Sequence, residues 1–164
     1  MPKDIQWHFI GHLQSKKVKY IAPFVSLIHG VDSLKLLQEI NKQAAKNNRV
    51  IDCLLQVYIA EEESKFGLDE KELEEVLKLV QNDKENYKNT RIVGLMGMAT
   101  FTENKNQIEK EFKHLKTIFD KHTKLNTEHC QLNTLSMGMS GDYQLAISCG
   151  STMVRIGSSI FGSR

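Results

Sequence analysis

The sequence predicts an α/β fold on a parallel sheet, with about six of the eight βα units of a (β/α)8 TIM-type barrel. Three observations carry that prediction. Strand-like and helix-like segments alternate along the whole chain, the pattern of a parallel sheet. Residues 50–59 form a near-continuous apolar run, which suits a parallel strand covered on both faces. Loops containing Gly and Ser stand at the C-terminal ends of the last two strands, where barrels often build a phosphate site.

The elements follow in order. A strand over residues 5–11 precedes a short helix from 15 to about 21, and a second strand covers 25–30. Asp32 caps the next helix, which places Leu34, Leu37, Ile40 and Ala44 on one face. After the third strand at 50–59, Leu73, Val76, Leu77 and Val80 mark a helix from 69 to about 80. The fourth strand spans 92–99, with a helix from about 106 to 125 behind it. The fifth strand runs from about 133 to 136, and a helix over 141–148 ends at Gly150, a normal residue beyond a helix terminus. The sixth strand covers 152–156, and the chain nearly stops there.

At 164 residues the chain reads as one domain, 1–164, shorter than the 200 or so residues of a full barrel. Length alone favours an open doubly wound sheet, but no Gly-x-Gly-x-x-Gly follows the first strand to support dinucleotide binding. A net charge of +2 does not suggest a nucleic-acid surface. No apolar run approaches the roughly 20 residues of a spanning helix, and Met1-Pro2-Lys3-Asp4 opens no export signal, so a cytoplasmic location is expected. Cys53, Cys130 and Cys149 lack CxxC spacing and read as free thiols. Glu128-His129-Cys130 has no spaced partner pair, so no metal is expected, and no Gly-x-Ser-x-Gly elbow or P-loop is present.

Four segments could carry chemistry. In Ser136-Met137-Gly138-Met139-Ser140-Gly141-Asp142 a strand ends, a glycine turn follows and a helix starts; the loop either receives an anion or merely turns and caps. In Thr152-Met153-Val154-Arg155-Ile156-Gly157-Ser158, alternation puts Met153, Arg155 and Gly157 on one face. An arginine in so apolar a strand needs either a polar ligand or an ion pair with a carboxylate on a neighbouring strand. Gly157 and Ser158 then offer N–H and hydroxyl donors at the strand end. Lys65, in Glu63-Ser64-Lys65-Phe66-Gly67, either faces a site mouth or lies in a solvated loop. His8, in Trp7-His8-Phe9-Ile10-Gly11-His12-Leu13-Gln14-Ser15, is either a hydrogen-bonded core residue or a functional one.

These segments, together with Gly94-Leu95-Met96 and Gly150-Ser151-Thr152-Met153-Val154-Arg155-Ile156-Gly157, resemble the pyridoxal phosphate homeostasis protein family over essentially the whole chain. That family is related to the N-terminal barrel of alanine racemase. The resemblance implies a barrel that holds pyridoxal 5′-phosphate and buffers and transfers it, without established turnover, as a monomer that hands the cofactor to recipient apo-enzymes. It implies that Ser136, Gly157 and Ser158 hold the phosphate, with Ser140 a further candidate, that Arg155 faces the pyridine nitrogen, and that Lys65 stands near the mouth. A cation at that nitrogen cannot favour its protonation, which leaves the ring a poorer electron sink than one paired with a carboxylate.

The sequence departs from the family pattern in three places. The family's Schiff-base lysine lies on the first barrel strand, in a segment with no counterpart here, so the chain reads as lacking that lysine and the first two βα units. Lys16 stands where an asparagine is usual after Gln-Ser, and Tyr58 where one is common near the end of the third strand. The alternatives are a racemase-like enzyme that uses the same cofactor, and an inactive gene fragment whose exposed parallel edges invite association.

Overall fold

The computed structural model describes residues 2–162. Its first strand, β1 (Trp7–Phe9), leads through a 3-10 turn (Ser15–Lys17) into the short helix α1 (Val18–Ile21). Strand β2 (Val25–Val31), helix α2 (Leu34–Lys46), strand β3 (Ile51–Gln56) and helix α3 (Glu70–Asn82) follow. After them come β4 (Thr90–Met96), α4 (Lys105–His122), the two-residue strand β5 (Asn126–Thr127), β6 (Cys130–Met139), α5 (Tyr143–Ser148), β7 (Met153–Arg155) and α6 (Ser158–Phe161). The pairs β1–β2, β2–β3, β3–β4, β4–β6 and β6–β7 are all parallel, and β5 alone is antiparallel, against β6. Six parallel strands thus form a curled, open part of a barrel wall, with β1 and β7 at its two ends.

Alternation along the strands divides the apolar side chains between two faces. Ile28, Cys53, Leu55, Ile92, Leu95, Leu135 and Met137 meet the helices and build the main core. Leu27, Leu54 and Met96, joined by Val93, Met98 and Met153, fill the concave face. The helices lay their apolar stripes on the main core: Leu37, Ile40 and Ala44 from α2, Leu73, Val76, Leu77 and Val80 from α3. All three cysteines are free and buried, one in each of β3, β6 and the end of α5. Strands β4 and β6 approach so closely at Gly94 that a Cβ there would lie 1.8 Å from the Thr134 carbonyl oxygen. Among the described residues no helix is long and apolar enough to cross a membrane.

Several local expectations need correction. Ser33, not Asp32, caps α2: it is extended (φ −156°, ψ 153°), and its hydroxyl accepts from the Leu36 amide at 3.2 Å. Asp32 instead lies 3.5 Å from His12 Nδ1. The fifth parallel strand starts at Cys130 rather than near residue 133 and is 10 residues long. Its first half alternates buried Cys130 and Leu132 with exposed Gln131 and Asn133, a pattern of half-covered strand that hides among polar residues. Helix α5 begins at Tyr143; Asp142 precedes it without capping it, because its carboxylate accepts from the Met139 amide at 2.7 Å. After the last strand, α6 adds a single helical turn that the sequence did not announce. The helix expected from residue 69 is confirmed in detail, with Asp69 and Glu72 forming a reciprocal capping box.

Candidate functional site

The C-terminal ends of the strands open on a cavity of about 970 Å³, bordered by the loops after β1, β3, β4, β6 and β7. Arg155 forms part of its floor. Strand alternation turns Arg155 to the concave side with Met153, and only 8% of its surface stays exposed. Its Nη1 donates to Ser136 Oγ at 2.6 Å and its Nη2 to the Gly97 carbonyl at 3.1 Å. Among the described residues no carboxylate forms an ion pair with it, which removes the structural-ion-pair alternative. Burial lowers its pKa to about 10, against a smaller opposing pull from Asp142, so the guanidinium is still a cation at neutral pH.

The arginine ends a chain of polar contacts across the concave face. Ser136 is wholly buried, and its Oγ lies 3.5 Å from His29 Nδ1. His29 Nε2 lies 3.1 Å from Nδ1 of His8, on the end strand β1. Burial, with His8 and Arg155 nearby, lowers the His29 pKa to about 4 and keeps its ring neutral.

The loops after β6 and β7 are tied by Ser140, whose hydroxyl accepts from the amides of Gly157 (3.2 Å) and Ser159 (3.3 Å). Ser140, Arg155, Gly157 and Ser158 all line the cavity, and so does Lys65 from the loop after β3. Ser136 does not: its hydroxyl points at Arg155 beneath the cavity floor, which separates it from the other expected phosphate ligands. Lys65 Nζ stands 3.9 Å from Glu62. The Glu62 carboxylate is held below its usual pKa by the Ser64 hydroxyl, then the Phe101 amide, then Lys65.

Some participants were not anticipated. Glu111 is 4% exposed and accepts from the amides of Glu61 (3.0 Å) and Thr100 (2.8 Å) and from the Thr100 hydroxyl (2.6 Å). It thereby ties two rim loops to α4. A carboxylate on the stripe of Ile108, Phe112 and Leu115 was the available signal. His12 lines the cavity and stacks on Phe66 at 4.8 Å between ring centroids. His29 could have been found from its spacing of two from Leu27 on β2.

A phosphorylated aromatic ligand suits this arrangement. The donors are a cation with N–H groups to spare and two serine hydroxyls, beside a glycine loop whose Gly157 amide is bonded to Ser140. At Gly157 and Gly141 a Cβ would meet no atom within 4 Å, so the glycine loops border open space rather than packed protein. Among the described residues no cluster of His, Cys, Asp or Glu could hold a metal.

Comparison with known proteins identifies the family of the fold. Residues 4–164 match the family model described as alanine racemase, N-terminal domain. A pyridoxal phosphate homeostasis protein of Aquifex aeolicus is 40% identical over 162 residues, covering 98% of this chain and 68% of that protein. The solved structure of PipY from Synechococcus elongatus without PLP superposes with a TM-score of 0.87 at 30% identity, over 97% of this chain and 72% of PipY. PipY with PLP bound gives a TM-score of 0.81 at 28% identity, over 97% and 71%. The chain spans about two thirds of the length of the curated relatives it matches, at 68% and 66% for two of them. On its sequence, its open barrel sheet and the likeness of its whole length to these proteins, the chain belongs to the pyridoxal phosphate homeostasis protein family, within the group defined by the N-terminal domain of alanine racemase.

Proposed function

We propose that this chain binds pyridoxal 5′-phosphate at the rim of β4, β6 and β7 and serves intracellular cofactor homeostasis by binding, buffering and transfer, without turnover of its own. The observation that carries the reading is Arg155, a buried cation without a carboxylate partner among the described residues, pinned by Ser136 and the Gly97 carbonyl beneath the cavity. Such a group is stable only if a ligand or fixed dipoles meet its remaining N–H donors. In this reading Ser140, Gly157 and Ser158 hold the phosphate, Arg155 meets the pyridine nitrogen, and Ser136 orients the arginine rather than touching phosphate. When bound, the cofactor supplies an aldehyde and an electron-accepting ring. Beside the Arg155 cation the ring nitrogen stays unprotonated, which weakens that electron sink and favours a carrier over a general catalyst.

Lys65 is the one lysine among the described residues lining the cavity, and its Nζ lies 3.9 Å from Glu62. We assign it to cofactor entry and hand-over to recipient apo-enzymes, and we place the protein in the cytoplasm as a monomer. The experiment is a titration of the full chain with pyridoxal 5′-phosphate, followed by absorbance and calorimetry, beside Arg155→Met and Ser140→Ala. Saturable binding that weakens by about 10- to 100-fold in Arg155→Met is expected, the range for a lost charged hydrogen bond. Absence of saturable binding by the unaltered chain refutes the reading. Borohydride treatment of the loaded chain should leave no adduct concentrated at one lysine, and racemisation of alanine above the free-cofactor background would favour an enzyme instead.

A further inference from the structure

The contacts around Arg155 have a direction. A guanidinium can only donate, so Ser136 Oγ must accept from Arg155 Nη1 at 2.6 Å. That leaves the serine its single proton, and the polar atom within its reach is His29 Nδ1 at 3.5 Å. His29 Nδ1 is therefore the bare, accepting nitrogen, and Nε2 carries the proton. Nε2 lies 3.1 Å from His8 Nδ1, which in turn must be bare. Four side chains from β1, β2, β6 and β7 thus share one hydrogen-bond polarity: Arg155 to Ser136, Ser136 to His29, His29 to His8. The opposite His29 tautomer would aim two donors at one serine oxygen and leave the serine proton with no acceptor, in a place where Ser136 is wholly buried and His29 only 1% exposed.

We propose that His29 is a positioning residue for the cofactor site: as the Nε2–H tautomer it takes the Ser136 proton, which turns the serine lone pairs to Arg155 and fixes the guanidinium at the cavity floor. The role extends to His8, whose exposed ring ends the relay on strand β1 and accepts the His29 proton. Neither histidine lines the cavity, so their effect on a ligand passes through Ser136 and Arg155. The significance of the relay for the cofactor rests on the binding reading above; the tautomer itself does not.

The test has two arms on the full-length chain. Long-range 1H–15N correlation without ligand should show His29 protonated at Nε2 and bare at Nδ1, and Ser136→Ala should abolish that bias. Binding of pyridoxal 5′-phosphate is then measured for three variants. Asn places an amide oxygen where Nδ1 stood, so His29→Asn should stay within about threefold of the unaltered chain, while His29→Gln and His29→Leu should weaken binding about tenfold, the loss of roughly one hydrogen bond of 1.4 kcal/mol. A His29 ring protonated at Nδ1 overturns the proposal even if every variant fails to fold. So does a His29→Leu protein that binds as tightly as the unaltered chain, or a His29→Asn protein as weak as His29→Leu. No binding by the unaltered chain would instead overturn the cofactor reading, and the relay would then stand or fall on the tautomer.

Discussion

Lowering the pH from 8 to 5 should destabilise this fold through His29 by a calculable amount. In the folded chain its pKa falls from 6.5 to about 4, from burial first, then from His8 and Arg155. Between those values the unfolded chain holds a proton that the folded chain refuses, so stability declines as pH falls through the window from about 6.5 towards 4. At pH 5 the unfolded ring is almost fully protonated and the folded ring almost fully neutral, which removes about 2 kcal/mol relative to pH 8. Urea unfolding at constant ionic strength measures it: with a slope of about 2 kcal/mol/M, the midpoint should fall by about 1 M. His29→Gln carries no titrating ring and should lose that component. His122, whose pKa burial also lowers, acts in the same direction but is present in both proteins, so the difference between them isolates His29. Parallel losses in the two proteins between pH 8 and pH 5 would refute the argument.

Three further outcomes follow from packing and capping. Gly94→Ala should not give a soluble, cooperatively folding protein, because its Cβ would overlap the Thr134 carbonyl at 1.8 Å and force β4 from β6; a normal thermal transition would disprove this. Asp69→Ala breaks the capping box at the start of α3 and should lower stability by about 1 kcal/mol in denaturant unfolding, with no effect on ligand binding. Glu111→Leu leaves the Thr100 amide without its acceptor and the Glu61 amide with the Thr100 hydroxyl alone; hydrogen exchange at Thr100 should rise sharply while exchange in β2 and β3 stays unchanged.

What was legible in the sequence was what depends on one element at a time. The stripe Leu73, Val76, Leu77 and Val80, with Asp69 and Glu72 at its head, dictates α3 almost residue by residue. The apolar run of β3 and the glycine and serine ends of the last strands pointed to the layout of the sheet and to its working rim. What was not legible depends on which residues meet across elements. Asp32 and Ser33 are equally good caps by composition, and the choice between them fell to the backbone angle at Ser33 and to His12 waiting for Asp32. Ser136 and Ser140 stand four positions apart in one motif, yet one donates and accepts beside Arg155 and the other bridges to Gly157 and Ser159. Resemblance by motif could not distinguish them, since strand alternation gives both the same nominal face. The first half of β6 was hidden because its outward residues are polar, and α6 because one turn leaves no periodicity to read.

The three buried cysteines give the protein a built-in stopwatch. Reagents attack thiolates, and burial pushes the Cys53 thiol far up and the Cys130 thiol up to about 11, so neither reacts while the fold is shut. Cys53 sits in the middle of the sheet, Cys130 where β5 folds back on β6, and Cys149 at the end of α5. Each lies in a different element of the open wall. The order in which they are alkylated reports which of these elements opens first, without a single mutation or added label.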